Sequence, residues 1–408
     1  MRRGGGGGPE AVEPRAVRRD FRFFLLSVLA GGFAAAVVDA VLNNHLRESF
    51  RVTDLHRSLI EIPREVPGLA VIFVWALLFA FCSRRLAAMG SFLIAAGALG
   101  IGFLSPGLGI LLGWLFVLSL GQHLVLGLHP AIALELAEEG AEGRLLGRLN
   151  GARNAAAILG SLAVFAGFRY ADLGYTGAFA LAALVALGGA FLMLGMRPLP
   201  PHPPGAHLAL HREYGLYYWL TILYGTRKQI FLTFAPWVLV TVHQARASTV
   251  ALLLGIGGAA GIVFQPLLGR AVDHFGERAA LMGEAAALVA VCLGYALAGT
   301  LLPPAAAFLL TAACYVADQL LMSVGMARAT WLKKIARDPA HVAPTLTMAV
   351  SLDHVFSIGG AVAAGFVWDR FGYRPVFAAA AALALVNLLS ASFIRLPATR
   401  RAPTAAGS

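Results

Sequence analysis

Apolar positions along the chain fall in long runs, not in stripes. Between charges, prolines and glycines lie about twelve stretches of roughly twenty residues, the length one helix needs to cross a hydrocarbon core of about 30 Å. Their approximate limits are 22–44, 58–82, 86–104, 108–134, 149–168 and 176–196 in the first half. After the Pro- and His-rich PLPPHPPGAHLALHRE at 198–213 come 214–242, 247–268, 279–302, 303–327, 343–367 and 374–394. The softest boundary is LLPP at 301–304, and a single kinked span there would leave eleven.

The runs predict an all-α integral membrane protein of about twelve transmembrane helices. A repeat suggests how they group: GFRYADLGY at 167–175 follows the fifth run and GFVWDRFGY at 365–373 the eleventh, each opening on Gly-Phe and closing on Gly-Tyr. Equivalent places in a six-plus-six layout predict two six-helix bundles. The expected organisation is a disordered cytoplasmic tail (1–21), a first bundle (22–196), a cytoplasmic linker (197–213), a second bundle (214–395) and a C-terminal tail (396–408).

Composition supports the membrane reading: 59% of residues are hydrophobic, 13% charged, and mean hydropathy is +0.75, far from soluble base rates. The formal charge of +11 does not indicate nucleic acid, because Lys and Arg form short clusters between apolar runs and no stripe with interleaved aromatics. With the N-terminus inside, cytoplasmic segments hold 21 Lys and Arg against 7 outside, the asymmetry of the positive-inside rule. Both termini are expected in the cytoplasm. Cys82, Cys292 and Cys314 are too scattered for a disulfide framework or metal site. No G-x-x-x-x-G-K-[ST] occurs, so nucleotide-driven pumping by this chain is not expected.

GRAVDHFGER at 269–278 sets Gly269, Asp273, Gly276 and Arg278 in a tight basic turn after the second run of the second half. Glycine allows the sharp reversal, and Asp273 can cap a helix or pair with an arginine. Any cytoplasmic hairpin would show some of this. G-x-x-x-D-x-x-G-x-R at this place resembles the signature loop of the major facilitator superfamily, and GFVWDRFGYR at 365–374 resembles that family's loop before its last span. The first-half equivalent, AFCSRRLA at 80–87, keeps Arg84 and Arg85 without the Gly and Asp. The resemblance therefore implies a gating role for Asp273 and Arg278 and supports one less for the first-half loop, which departs from the pattern. The fifth run also lacks the Gly-Pro pair of the drug-antiporter signature, which argues against multidrug efflux.

Ionisable groups inside a membrane are expensive, by estimates from about 2.5 to over 10 kcal/mol, so they are default functional candidates. Between their limits, runs three, six and twelve contain no charged residue, and run nine only Glu284. Run one has Asp39 and Asn43, run four Gln122 and His123, run seven Tyr224, Arg227, Lys228 and Gln229, and run ten Tyr315, Asp318 and Gln319. Runs two and eleven add Glu61, Arg64, Glu65, Asp353 and His354. In the superfamily that the chain resembles, spans one, four, seven and ten line a central cavity, and polarity sorts the same way here.

At about 1.5 Å per residue, Arg227, Lys228, Asp318 and Asp353 all fall near mid-membrane. Cations facing carboxylates there suit either a structural ion-pair network or a proton-coupled site. An anionic solute that took over the cation would leave its carboxylate easier to protonate. Arg227 is expected opposite Asp318 or Asp353, with Lys228 about 100° round the helix and Tyr224 on the shared face. His354 and His123 suit either proton carriage or packing. Asp39 with Glu61, Arg64 and Glu65 forms a gate or a structural cluster, and Glu135 is expected to pair with Arg148 and Arg153 at the cytoplasmic mouth.

The expectation is a secondary active transporter of a small organic solute working by alternating access, proton-coupled, with a small anion or zwitterion favoured. Its substrate- or ion-binding candidates are Arg227, Asp318, Asp353, Tyr224, Lys228, His354, Asn43, His123 and Gln122; its gating candidates are Asp39, Arg64, Glu135, Asp273 and Arg278. The rivals are drug or toxic-compound efflux by proton antiport and a membrane-embedded lipid-acting enzyme, for which no paired-histidine or nucleophile-base constellation is convincing. No cofactor or metal is expected. The partners are the solute, a proton or other ion and the bilayer, for a monomer in a bacterial inner membrane.

Overall fold

A computed structural model describes residues 14–77, 82–137, 142–198, 210–338 and 341–395. Residues 1–13 of the expected N-terminal tail, the whole of the expected C-terminal tail (396–408) and most of the 197–213 linker lie outside these residues. Helix dominates, because an apolar run without water must satisfy its backbone polar groups internally. In chain order the helices are α1 (Pro14–Phe50), α2 (Asp54–Leu59), α3 (Glu61–Leu77), α4 (Ser83–Phe103), α5 (Leu108–Leu136), α6 (Glu142–Tyr170) and α7 (Tyr175–Leu194). Then follow α8 (Gly215–Thr241), α9 (Ala247–Leu301), α10 (Pro304–Leu321), α11 (Gly325–Ile335), α12 (Val342–Phe371) and α13 (Tyr373–Ala391). Among the described residues, nine helices are long and apolar enough to cross a membrane.

Several boundaries differ from the sequence reading. Residues 14–21, expected in the tail, are helical, and Asp20 is buried there against Arg84 (2.9 Å). The basic turn at 269–278 is helical up to Gly276, whose φ of 82° and ψ of 164° interrupt α9. That left-handed φ is where glycine avoids the Cβ clash of other residues. Each arm of α9 beside it is long enough for a core of about 30 Å. The LLPP break separates two helices, with Pro303 extended and Pro304 opening α10, a position that needs no N–H. Both copies of the Gly-Tyr repeat start a helix: Gly174 precedes α7 and Gly372 precedes α13.

The chain forms two compact units. One comprises residues 1–38, 71–163 and 173–204; the other comprises 39–70, 164–172 and 205–408. In the first, α4 packs on α5 and α7 around Phe24, Leu86, Leu124, Leu128, Ile132 and Met193. The α4 and α5 backbones touch: a Cβ on Gly97 would lie 2.6 Å from the backbone of Leu118. In the second, α8 packs on α12 and α13, α9 on α10 and α13, and α12 on α2. Its centre is aromatic, with Tyr295 stacked on Phe377 at 4.5 Å and Phe231 edge-on to both. Phe234 stacks on Trp368 at 5.0 Å.

Candidate functional site

Three groups of buried charge in the second unit bear on the candidate site. The first centres on Glu61, at the start of α3 and fully buried. Its Oε1 accepts from Arg57 Nη1 (2.5 Å) and Arg64 Nη1 (3.3 Å), and its Oε2 from Gln229 Nε2 (2.7 Å). Arg57, also fully buried, donates from Nε to Asn43 Oδ1 (2.8 Å). Arg64 in turn lies 4.0 Å from Asp39. A buried carboxylate with three donors is the arrangement that makes a charge tolerable out of water. Next to it, Glu65 meets His354 Nδ1 at 3.2 Å.

The second group uses the adjacent cations of α8. Arg227, 1% exposed, donates from Nη1 to Asp318 on α10, while Lys228 Nζ lies 2.8 Å from Asp353 on α12. Neighbouring helical residues diverge by about 100°, so the two cations reach different helices. The Arg227 guanidinium sits 5.1 Å from the Phe231 ring centre and 5.6 Å from that of Tyr224, within cation–π range. Its Nε and Nη2 have no hydrogen-bond partner among the described residues. Backbone room matters here too, since a Cβ on Gly225 would run into Asp353 Oδ1.

The third group is Arg328 on α11, which pairs with buried Glu284 on α9 (3.3 Å) and lies over the Tyr224 ring at 3.5 Å.

A cavity of about 220 Å³ opens beside these groups. Its polar lining is Asp39, Asn43, Arg64, Tyr315, Asp318 and Gln319, and Phe231, Pro236 and Leu254 contribute apolar wall. Asp39 exposes half its side chain and Arg64 a quarter. A solute there would meet one guanidinium and two carboxylates, with Arg227 one bond behind, through Asp318.

Of the residues singled out by sequence, Asp39, Asn43, Arg64 and Asp318 line this cavity. Tyr224, Arg227, Lys228, Asp353 and His354 form the pairs described above. Gln122 and His123 belong to the first unit, where the His123 ring contacts Ser119 one turn earlier on α5. Glu135 is also there, beside Ser83 Oγ (2.7 Å) and 3.7 Å from Arg84 Nε; those partners come from α4, not from Arg148 and Arg153. Asp273 and Arg278 flank the Gly276 break and are exposed, whereas the buried charge of that turn is Glu277, 2.5 Å from Lys334.

Sequence reasoning missed three participants. Arg57 and Arg328 look like loop charges that set topology, yet both are buried with acidic partners. The i,i+4 spacing of Arg57 and Glu61 was the available signal. Glu284 stood alone in its run, and only the fold brings Arg328 to it.

Apolar helices long enough to cross a membrane, with paired charges in their interior and a cavity among them, are those of a polytopic membrane protein. The chain belongs to the major facilitator superfamily, whose sequence profile matches residues 24–352, and it is accordingly a membrane transporter and not an enzyme. No curated protein matches its sequence. Among solved structures it is similar to the nucleoside transporter NupG, at 12% identity and a TM-score of 0.71 over 92% of this chain and 98% of that one. It is also similar to the xylose transporter XylE from E. coli in an inward-open conformation (17%, 0.68, 94% and 98%). A third similarity is to a peptide transporter POT in complex with sulfate (15%, 0.70, 92% and 94%). At such identities the likeness is one of fold.

Proposed function

We propose that the protein is a secondary active transporter that moves a small zwitterion or anion by alternating access, coupled to protons. The proposal includes twelve crossings in two six-helix bundles, with α9 crossing twice on either side of Gly276 and α2 with α3 making one crossing. It also includes a bacterial inner-membrane location, both termini in the cytoplasm and a monomeric unit.

The observation that carries the reading is the cavity lined by Asp39, Arg64 and Asp318 together with Asn43, Tyr315 and Gln319. Arg64 is placed to meet a carboxylate and Asp39 an ammonium, and amide and phenol groups can fix orientation. Asp318 is both a wall residue and the partner of Arg227. A solute anion that draws Arg227 away releases that carboxylate, which can then take a proton. Binding of solute and proton are thereby linked through one side chain. The similar structures named for xylose and peptide transport are of the same general kind, a small polar cargo. Asp39 against the apolar wall of Phe231 and Leu254 would also receive a cationic amphiphile, as an antiporter of toxic compounds requires.

Uptake into proteoliposomes with an imposed pH gradient tests this, using panels of small zwitterions, anions, sugars and cationic drugs. Gradient-dependent movement of a zwitterion or anion is expected, abolished by Arg227→Ala with the folded protein still in the bilayer. Transport retained in that variant removes Arg227 from the mechanism, and movement of cationic drugs alone establishes the antiport reading. A cysteine placed in the 198–213 linker should be inaccessible to impermeant reagents from outside.

A further inference from the structure

Away from the cavity, the residues just before α8 come against the start of α12. His211 and Glu213 flank Arg212 in and beside a single 3-10 turn (Arg212–Tyr214), and His341 is the residue before α12. The two imidazoles stack with ring centres 4.0 Å apart and planes at 21°. Glu213 Oε1 lies 3.3 Å from His341 Nδ1. One ligand atom from each of the three residues falls within 4.8 Å of the others.

We propose that His211, Glu213 and His341 form a binding site for a divalent transition metal of the zinc class. Two imidazoles and a carboxylate are a donor set such ions take, with bonds of about 2.0–2.2 Å. In a tetrahedron of that size, ligand atoms stand about 3.3 Å apart, the separation already present between Glu213 and His341. His211 is half-buried and Glu213 exposed, so side-chain rotation suffices to close the wider separations.

The surroundings are those of a held site. Buried Tyr214 contacts His341 Nδ1 through its hydroxyl at 3.2 Å and accepts from the Arg337 N–H at 3.1 Å; the first contact keeps the His341 ring turned towards Glu213 and is the one that an ion on Nδ1 would displace. Arg337 Nη1 takes the other carboxylate oxygen at 3.1 Å from a side chain that is 78% exposed, leaving Oε1 for an ion. The ligands come from segments on either side of more than a hundred residues, so a bound ion would clamp the start of α8 to the start of α12. Those two helices supply Arg227, Lys228 and Asp353.

The test uses the full chain with its purification tag cleaved, titrated with Zn²⁺ by calorimetry and with Co²⁺ by visible absorption. One saturable equivalent is expected, with the intense absorption of four-coordinate Co²⁺. His341→Gln and Glu213→Gln should each weaken binding by about tenfold or more, Arg337→Ala should tighten it, and His243→Gln should leave it unchanged. Glu213 is exposed, so E213Q keeps the fold even if H341Q does not. No saturable binding overturns the proposal. So does binding that survives H341Q and E213Q but is lost when His202 and His207 are replaced, which would put the metal on the linker.

Discussion

In the first compact unit the charged contacts gather at helix ends, while the interior is made of backbones in contact. Arg84 collects Asp20, the Arg197 carbonyl (2.8 Å) and Glu135 at the termini of α1, α4, α5 and α7. Between α4 and α5, Gly90, Gly97 and Gly121 remove the side chains that would hold the helices apart, the small-residue packing that membrane helices favour. The second unit reverses this. Glu61, Arg227, Asp318, Glu284 and Arg328 are buried along its helices, and Tyr295, Phe231 and Phe377 keep those helices apart. Where α4 and α5 touch, their backbones leave no gap between them; the helices of the second unit, separated by paired charges and rings, leave about 220 Å³.

The largest effect expected is at the hub of the second unit. Glu61→Ala strands Arg57, itself 0% exposed, and losing one partner of a buried pair costs about 3–5 kcal/mol. The three cysteines are free and buried, so a thiol-reactive dye reports unfolding in detergent directly. A sharp fall in melting temperature and membrane yield is expected, with partial recovery in Arg57→Met/Glu61→Leu, which removes both charges. If E61A melts like the parent, the interior charges of this unit are not what holds it together. Next is Gly97→Ala in the first unit. Its new Cβ would lie 2.6 Å from the Leu118 backbone, which cannot swing aside as a side chain can, and overpacking costs about 1–3 kcal/mol. Melting should drop while the KM for the transported solute stays unchanged. A changed KM would mean that backbone contact in this unit also shapes the site.

These two residues also show what the sequence could and could not reveal. The long apolar helices and the Gly-Tyr helix starts follow from composition and period, because lipid leaves a long apolar run little choice but helix. Depth along the helices placed Arg227 opposite Asp318 or Asp353, and the fold gives it Asp318 while Asp353 goes to Lys228. Arg57 was not, because an arginine near a predicted span end reads as a topology charge until the fold buries it against Glu61. Arg328 with Glu284 escaped for a related reason: a pair 44 residues apart has no periodic signature. Gly97 is one small residue among many in sequence, and only the α4–α5 contact gives it a role. Glu135 was expected beside Arg148 and Arg153 by analogy with the family's cytoplasmic mouth, whereas the fold sets Ser83 and Arg84 against it.

A smaller effect on stability, with a large one on transport, separates the two kinds of residue inside the second unit. A Cβ at Gly225 would overlap Asp353 Oδ1, but that obstacle ends a rotatable side chain and can move. Gly225→Ala should therefore cost only about 1 kcal/mol in the dye assay while pulling Asp353 off Lys228, now 2.8 Å away. Gradient-driven uptake should fall at least as far as in Lys228→Ala. Full uptake in G225A would make the Lys228–Asp353 pair structural and leave Arg227–Asp318 as the sole working pair.

The smallest effect is expected at Lys334, where the comparison can be broken from the other side. Its ammonium lies 2.5 Å from Glu277, the residue after the Gly276 break, and its side chain is 55% exposed. An ion pair with one solvated partner contributes about 0–1 kcal/mol. Lys334→Ala should shift melting barely and leave uptake intact, as befits a charge at a helix end that only tidies a turn. The informative alternative is unchanged melting with lost transport. Because Lys334 is on α11 and Glu277 beside the break in α9, that outcome would mean the pair forms and parts during the transport cycle. Charges at helix ends would then share in the mechanism, and the division between structural ends and working interior would have to be redrawn around Gly276.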